Sequence, residues 1–188
     1  MKRCALLVAL AVAAPAFAQL AAQPPRRGVP AWDKGIQPIS RESYYNAMEC
    51  GKKGGDSPAC VFWDAGLCRN PEFVVSMYTP YKMVAYEVWH AVHVGQPPPT
   101  PSYPEAQRTR VTIGVTPVPA SKNPISTVDI RRGDKVFRPT SQAPETGGGR
   151  FTFDFDAWAP TGDMTLEFVG RAKTVTCRVP QAVLSQFR

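Results

Sequence analysis

The chain has 188 residues, 44% hydrophobic and 20% charged, and its 22 lysines and arginines outweigh 15 acidic side chains to give a net +7. That length suits one domain or two small ones, and no apolar run approaches the roughly 20 residues that a membrane-spanning helix needs. The positive balance does not read as nucleic-acid binding, because no strand face interleaves aromatic with basic side chains.

Met1-Lys2-Arg3 precede an uncharged run from Ala5 to Ala13, and Ala16-Phe17-Ala18 then offer a small-x-small cleavage site. This order predicts a signal peptide over residues 1–18 and an exported mature protein, periplasmic or extracellular. Cys4 lies ahead of the apolar run, so no cysteine is placed for a lipid anchor. The other four cysteines are Cys50, Cys60, Cys68 and Cys177. An even number in an oxidising compartment predicts disulfides, with three possible connectivities. Three of the four crowd into residues 50–68, which favours a local bridge, while their spacing lacks the paired pattern of structural zinc sites.

Residues 19–40 carry Pro24, Pro25, Pro30 and Pro38 and are expected to form a disordered proline-rich arm. Residues 41–95 read as a disulfide-containing helical region. Ser40 can cap a helix over Arg41–Glu49, which Gly51, Gly54 and Gly55 stop. Asn70-Pro71 looks like the start of a second helix. From there Phe73, Val74, Met77, Tyr81, Val84, Ala85, Val88 and Val92 recur at three- and four-residue steps, the mark of one apolar helix face. Pro80 should kink that helix or split it into two, and Gly95 end it. Residues 96–107, with five prolines, read as an extended linker.

From residue 108 the period changes to two. Val111, Ile113 and Val115 share a face, as do Val128 and Ile130, then Phe151, Phe153 and Phe155, then Met164, Leu166 and Phe168, then Val175, Cys177 and Val179. Alternate side chains of a strand point to opposite faces of a sheet. Turn residues separate the runs at Gly133-Asp134, Gly147–Gly149, Pro160–Asp163 and Gly170-Arg171. Residues 108–188 therefore read as an antiparallel β-sandwich with a short closing helix, on which the helical region packs because so short a segment buries only a modest core. The fold class expected is α+β. Over about residues 108–179 the strands resemble an immunoglobulin-like or fibronectin-like sandwich in general architecture, without the Cys…Trp…Cys pattern of true immunoglobulin domains. Cys177 falls on the inward face and is expected to bridge the sandwich to the helices.

Charge is uneven. Lys2 and Arg3 leave with the signal peptide, and the remaining +5 resides in residues 108–188, which hold twelve basic against seven acidic side chains. Arg131, Arg132, Lys135 and Arg138 surround one turn, and Arg171 and Lys173 flank another; at one end of the sandwich they would make a cationic edge for an anionic partner. Lysine and arginine at sheet edges also serve solubility. Glu87, His90 and His93 stand at three-residue steps on a helix and are weak metal candidates, because successive steps drift by about 60°. Asp154 and Asp156, on one strand face, are the paired-carboxylate candidates for glycoside chemistry. Trp158 just past that strand, with the other tryptophans and the tyrosines, could stack a partner at a rim or simply pack. No hydrolase, redox, haem or phosphate-loop motif is present. The expectation is an exported, non-enzymatic binding protein without cofactor, its partner an envelope component or another protein. A metal-dependent or carboxylate-based periplasmic enzyme is the alternative.

Overall fold

The computed structural model describes residues 36–188 apart from positions 66, 160, 186 and 188. The expected signal peptide and residues 19–35 of the arm lie outside the described residues.

The first helix, α1, spans Arg41–Lys52, and the Ser40 hydroxyl accepts from the Ser43 N–H at 3.0 Å, as its cap role predicts. It runs through Gly51 where a stop was expected. Gly51 sits where α1 crosses a later helix: a Cβ there would lie 2.6 Å from the Ala85 carbonyl oxygen and 2.9 Å from the Val88 Cβ. The glycine is a contact point between backbones, and a turn farther on at Gly54 and Gly55 ends the segment. A one-turn helix α2 (Ala59–Phe62) follows.

The next element corrects the sequence reading. Phe73–Tyr78 is a strand, β1, and α3 begins at Pro80 and ends at His93. Phe73, Val75 and Met77 are buried in alternation, so these residues fit period two as well as the helical period. Pro80 opens the helix: Thr79 is its N-cap, accepting from the Lys82 N–H at 3.1 Å, and proline at the first turn needs no N–H of its own. Tyr81, Val84, Ala85, Val88 and Trp89 then face inward against α1.

The expected linker is also more structured than its prolines imply. Tyr103–Arg108 forms α4, Ala106 is buried, the Tyr103 ring packs edge-on to Tyr44 at 5.4 Å, and the Tyr44 hydroxyl donates to the Pro101 carbonyl. Likewise Ile36 and Ile39, at the end of the expected arm, are buried.

The remaining strands are β2 (Val111–Pro117), β3 (Ile125–Arg132), β4 (Lys135–Phe137), β5 (Ser141–Glu145), β6 (Gly148–Phe153), β7 (Met164–Gly170) and β8 (Thr174–Val179), closed by helix α5 (Gln181–Leu184). They make two antiparallel four-stranded sheets, ordered β1-β2-β6-β5 and β4-β3-β7-β8. β1 pairs along its full length with β2, so the sheet begins before the helix and the proline segment and does not respect the boundary expected at residue 108. The inward residues of both sheets share one core, with Phe73 of β1 meeting Phe168 of β7 at 4.9 Å between ring centroids. A second, smaller core holds Ile39, Tyr44, Ala47, Val61, Tyr81, Ala85 and Trp89 among the helices. β5 is an exposed edge containing Pro144, a position where the missing N–H costs no ladder bond.

Both disulfides are formed. Cys50–Cys60 ties α1 to α2, and Cys68–Cys177 ties the segment before β1 to the inner face of β8. The two bridges suggest an oxidising, exported environment. Among the described residues no helix is long and apolar enough to cross a membrane.

Candidate binding surfaces

β3 and β4 turn through Gly133-Asp134, with Gly133 at φ 55°, a left-handed value that glycine adopts without steric cost. The turn opens on a surface cleft of about 510 Å³ lined by Arg132, Lys135, Phe137, Asp156, Thr161 and Asp163, among others. The four predicted cations here are differently engaged. Arg131 makes a two-pronged ion pair with Glu167 at 2.7 and 3.1 Å, and Arg132 donates to the Thr161 carbonyl. Lys135 and Arg138 are exposed and form no ion pair within 4.0 Å among the described residues, although the Arg138 charge acts on Asp129. Asp129 has its carboxyl raised above the usual range by burial first, with Arg138 opposing.

Arg171 and Lys173 do not join this group. Gly170 pairs with Ile125 at the start of β3, whereas Arg131 pairs with Thr165 at its end. Six strand residues, roughly 20 Å, separate the two turns. Lys173 is drawn to Glu72 at 3.2 Å on that opposite end. The single cationic edge imagined from sequence is therefore two separate ends, and the hairpin end holds more of the charge.

Asp154 and Asp156 are not on a strand. β6 stops at Phe153, Asp154 precedes a 3-10 turn over Phe155–Trp158, and Asp156 lies within it. Asp154 pairs with Arg110 at 3.2 Å, so the carboxylate dyad separates into an ion-paired residue and a cleft residue. Trp158 is buried beside Phe153 and offers no rim. Glu87, His90 and His93 lie on exposed positions of α3, where the His90 ring stacks on Tyr86 and the His93 ring on Trp89. Among the described residues no three His, Cys, Asp or Glu side chains gather as metal ligands.

A second cleft, about 330 Å³, lies where β1, α3 and the α2 segment meet. Its walls are largely apolar, from Val61, Phe62, Ala65, Val74, Val75 and Tyr86, and at its base are Asp64 and Lys82. The pair is buried, each residue 5% exposed, with Lys82 Nζ 2.6 Å from Asp64 Oδ1. Asp64 Oδ2 accepts from the Met77 N–H at 2.6 Å. The ammonium also lies 5.1 Å from the Tyr78 ring centroid and 5.5 Å from that of Trp63. Burial pulls the Lys82 ammonium below the usual lysine range, and the bond to Asp64 opposes that. Sequence reasoning passed over both residues. The only available signal was Lys82 itself, three residues before buried Ala85 and seven before buried Trp89, a charge on the inward arc of its helix.

Comparison with protein families, with characterised proteins and with solved structures finds no match.

Proposed function

We propose that this chain is an exported binding module of the cell envelope, periplasmic or extracellular, which holds an anionic partner at the β3–β4 hairpin. The observation that carries this reading is the pair Lys135, which lines the open cleft, and Arg138 three residues on, both exposed and without an ion pair within 4.0 Å among the described residues. An exposed cation outside a close ion pair attracts phosphate or carboxylate groups at long range, and neighbouring cations add to that field. Arg131 and Arg132, held by Glu167 and Thr161, fix the strand ends around them. We read the two facing sheets as an immunoglobulin-like sandwich in general architecture, a rigid frame that presents the hairpin. Fold of this kind supports many functions, so the charge layout and not the architecture is the argument.

Vesicles of phosphatidylglycerol, compared with neutral phosphatidylcholine vesicles and with an acidic cell-wall polymer, test the reading and separate lipid from glycan as the source of the anion. Binding should weaken steeply as salt rises. Lys135→Glu with Arg138→Glu should weaken it at least tenfold, while Arg171→Glu leaves it nearly unchanged. Binding that ignores salt, or that survives the hairpin double substitution, contradicts the assignment.

A further inference from the structure

The 330 Å³ cleft sits against an open sheet edge, and its chemistry is separate from that of the hairpin. Among the described residues β1 is the outermost strand of its sheet and pairs only with β2. In an antiparallel strand, consecutive residues send their N–H and C=O groups to opposite sides. The Glu72 carbonyl accepts from the Val118 N–H, on the β2 side, whereas the Met77 N–H reaches away from β2 to Asp64. Val75, two residues before Met77, therefore sends its N–H and C=O to the outer edge, and Val75 lines the cleft. Asp64 terminates that edge at Met77. Val75 thus offers one donor and one acceptor in strand geometry, flanked by an apolar space.

We propose that this edge takes a short extended peptide segment carrying one large apolar side chain, by addition of a strand to β1. A residue of a partner chain would exchange both hydrogen bonds with Val75, and the residue after it, whose side chain falls on the face of Val74 and Ser76, would enter the space between Val61, Phe62 and Tyr86. Val74, 58% exposed, and Tyr86, 38% exposed, stand at the cleft as apolar surface for that side chain. The charge balance favours a neutral segment. Asp64 and Lys82 neutralise each other, and both carboxylate oxygens are engaged, so an added carboxylate or ammonium finds no counter-charge there. The volume suits one aromatic or branched aliphatic residue with its adjoining peptide groups, and not a small ion.

The test is a titration of the isotope-labelled mature protein with the blocked peptide acetyl-Ala-Phe-Ala-methylamide, followed by amide resonances. Saturable shifts should centre on Val75, Ser76 and Val61. The same peptide N-methylated at the alanine before Phe cannot donate to the Val75 carbonyl and should bind at least tenfold more weakly. Ala65→Trp, at an exposed position lining the cleft, should fill the space and abolish the shifts while the thermal transition stays within a few degrees of the parent. The proposal is overturned by the absence of saturable shifts at Val75 up to millimolar peptide, by equal binding of the N-methylated peptide, or by full binding to a folded Ala65→Trp protein.

Discussion

Asp163 shows how one side chain can organise the end of a chain. Its Oδ1 accepts from the Gln181 N–H at 2.9 Å, at the start of α5, and its Oδ2 accepts from Arg178 Nε on β8 at 3.0 Å. The backbone bond first, and the Arg178 bond second, hold its carboxyl below the ordinary value of 3.8. A carboxyl with a lowered folded pKa contributes stability that is fully present above its unfolded value and is lost as pH falls through the folded one. Asp163→Asn should therefore lower the melting temperature at pH 7, and the gap to the parent should close as pH drops below 3.8 in parallel thermal melts. A gap that is constant down to pH 2 would remove the charge from this account. At this scale the sequence was partly legible. Ser40 capped where capping chemistry places it, and Cys177 turned inward with Val175 and Val179. Asp64 and Lys82 were not legible, because their meaning comes from meeting across 18 positions of chain, and no spacing rule connects a loop carboxylate to a helix ammonium.

Among the elements, the strand at Phe73–Tyr78 was hidden by ambiguity between two periods. Six residues hold too few turns to separate them, and Asn70-Pro71 imitates a helix start. Pro80, expected to kink or split a helix, opens one behind the Thr79 cap. By contrast the alternations at Val111–Val115, Val128–Ile130, Phe151–Phe153 and Met164–Phe168, each bounded by turn residues, appear as buried faces of β2, β3, β6 and β7. β5 escaped notice because all five of its residues are exposed, leaving no apolar rhythm. The α1–α3 crossing gives a sharp test of packing against propensity. Alanine is the better helix former by about 1 kcal/mol, yet a methyl at Gly51 would press on backbone of α3 at Ala85. Gly51→Ala should destabilise by about 1–3 kcal/mol in urea unfolding. A stabilised variant would show that the two helices are farther apart than described.

Taken whole, the molecule joins a small helical core to a two-sheet core, with β1 belonging to the second although it precedes α3. The two disulfides close loops of very different length, with sequence separations of 10 and 109. Chain-entropy reasoning assigns about 2.7 kcal/mol to the first and about 4.8 kcal/mol to the second. Urea titration should accordingly find Cys68→Ser with Cys177→Ser less stable than Cys50→Ser with Cys60→Ser; the reverse order would mean that the long bridge constrains the unfolded chain little. Charge placement is the property that sequence alone misjudged most at this scale. It correctly located the excess in residues 108–188, but strand register alone decides that the Arg171–Lys173 turn lies at the opposite end from Gly133-Asp134.

The assignment of the anion site to one end of the sandwich is tested most directly by titrating the labelled mature protein with inorganic tripolyphosphate at low salt. Shifts of backbone amides and arginine side chains should concentrate at residues 131–138, reach the cleft residues Asp156 and Thr161, fade with added salt and spare residues 171–173. Shifts centred on the Arg171–Lys173 turn, or spread evenly over all exposed cations, would contradict it.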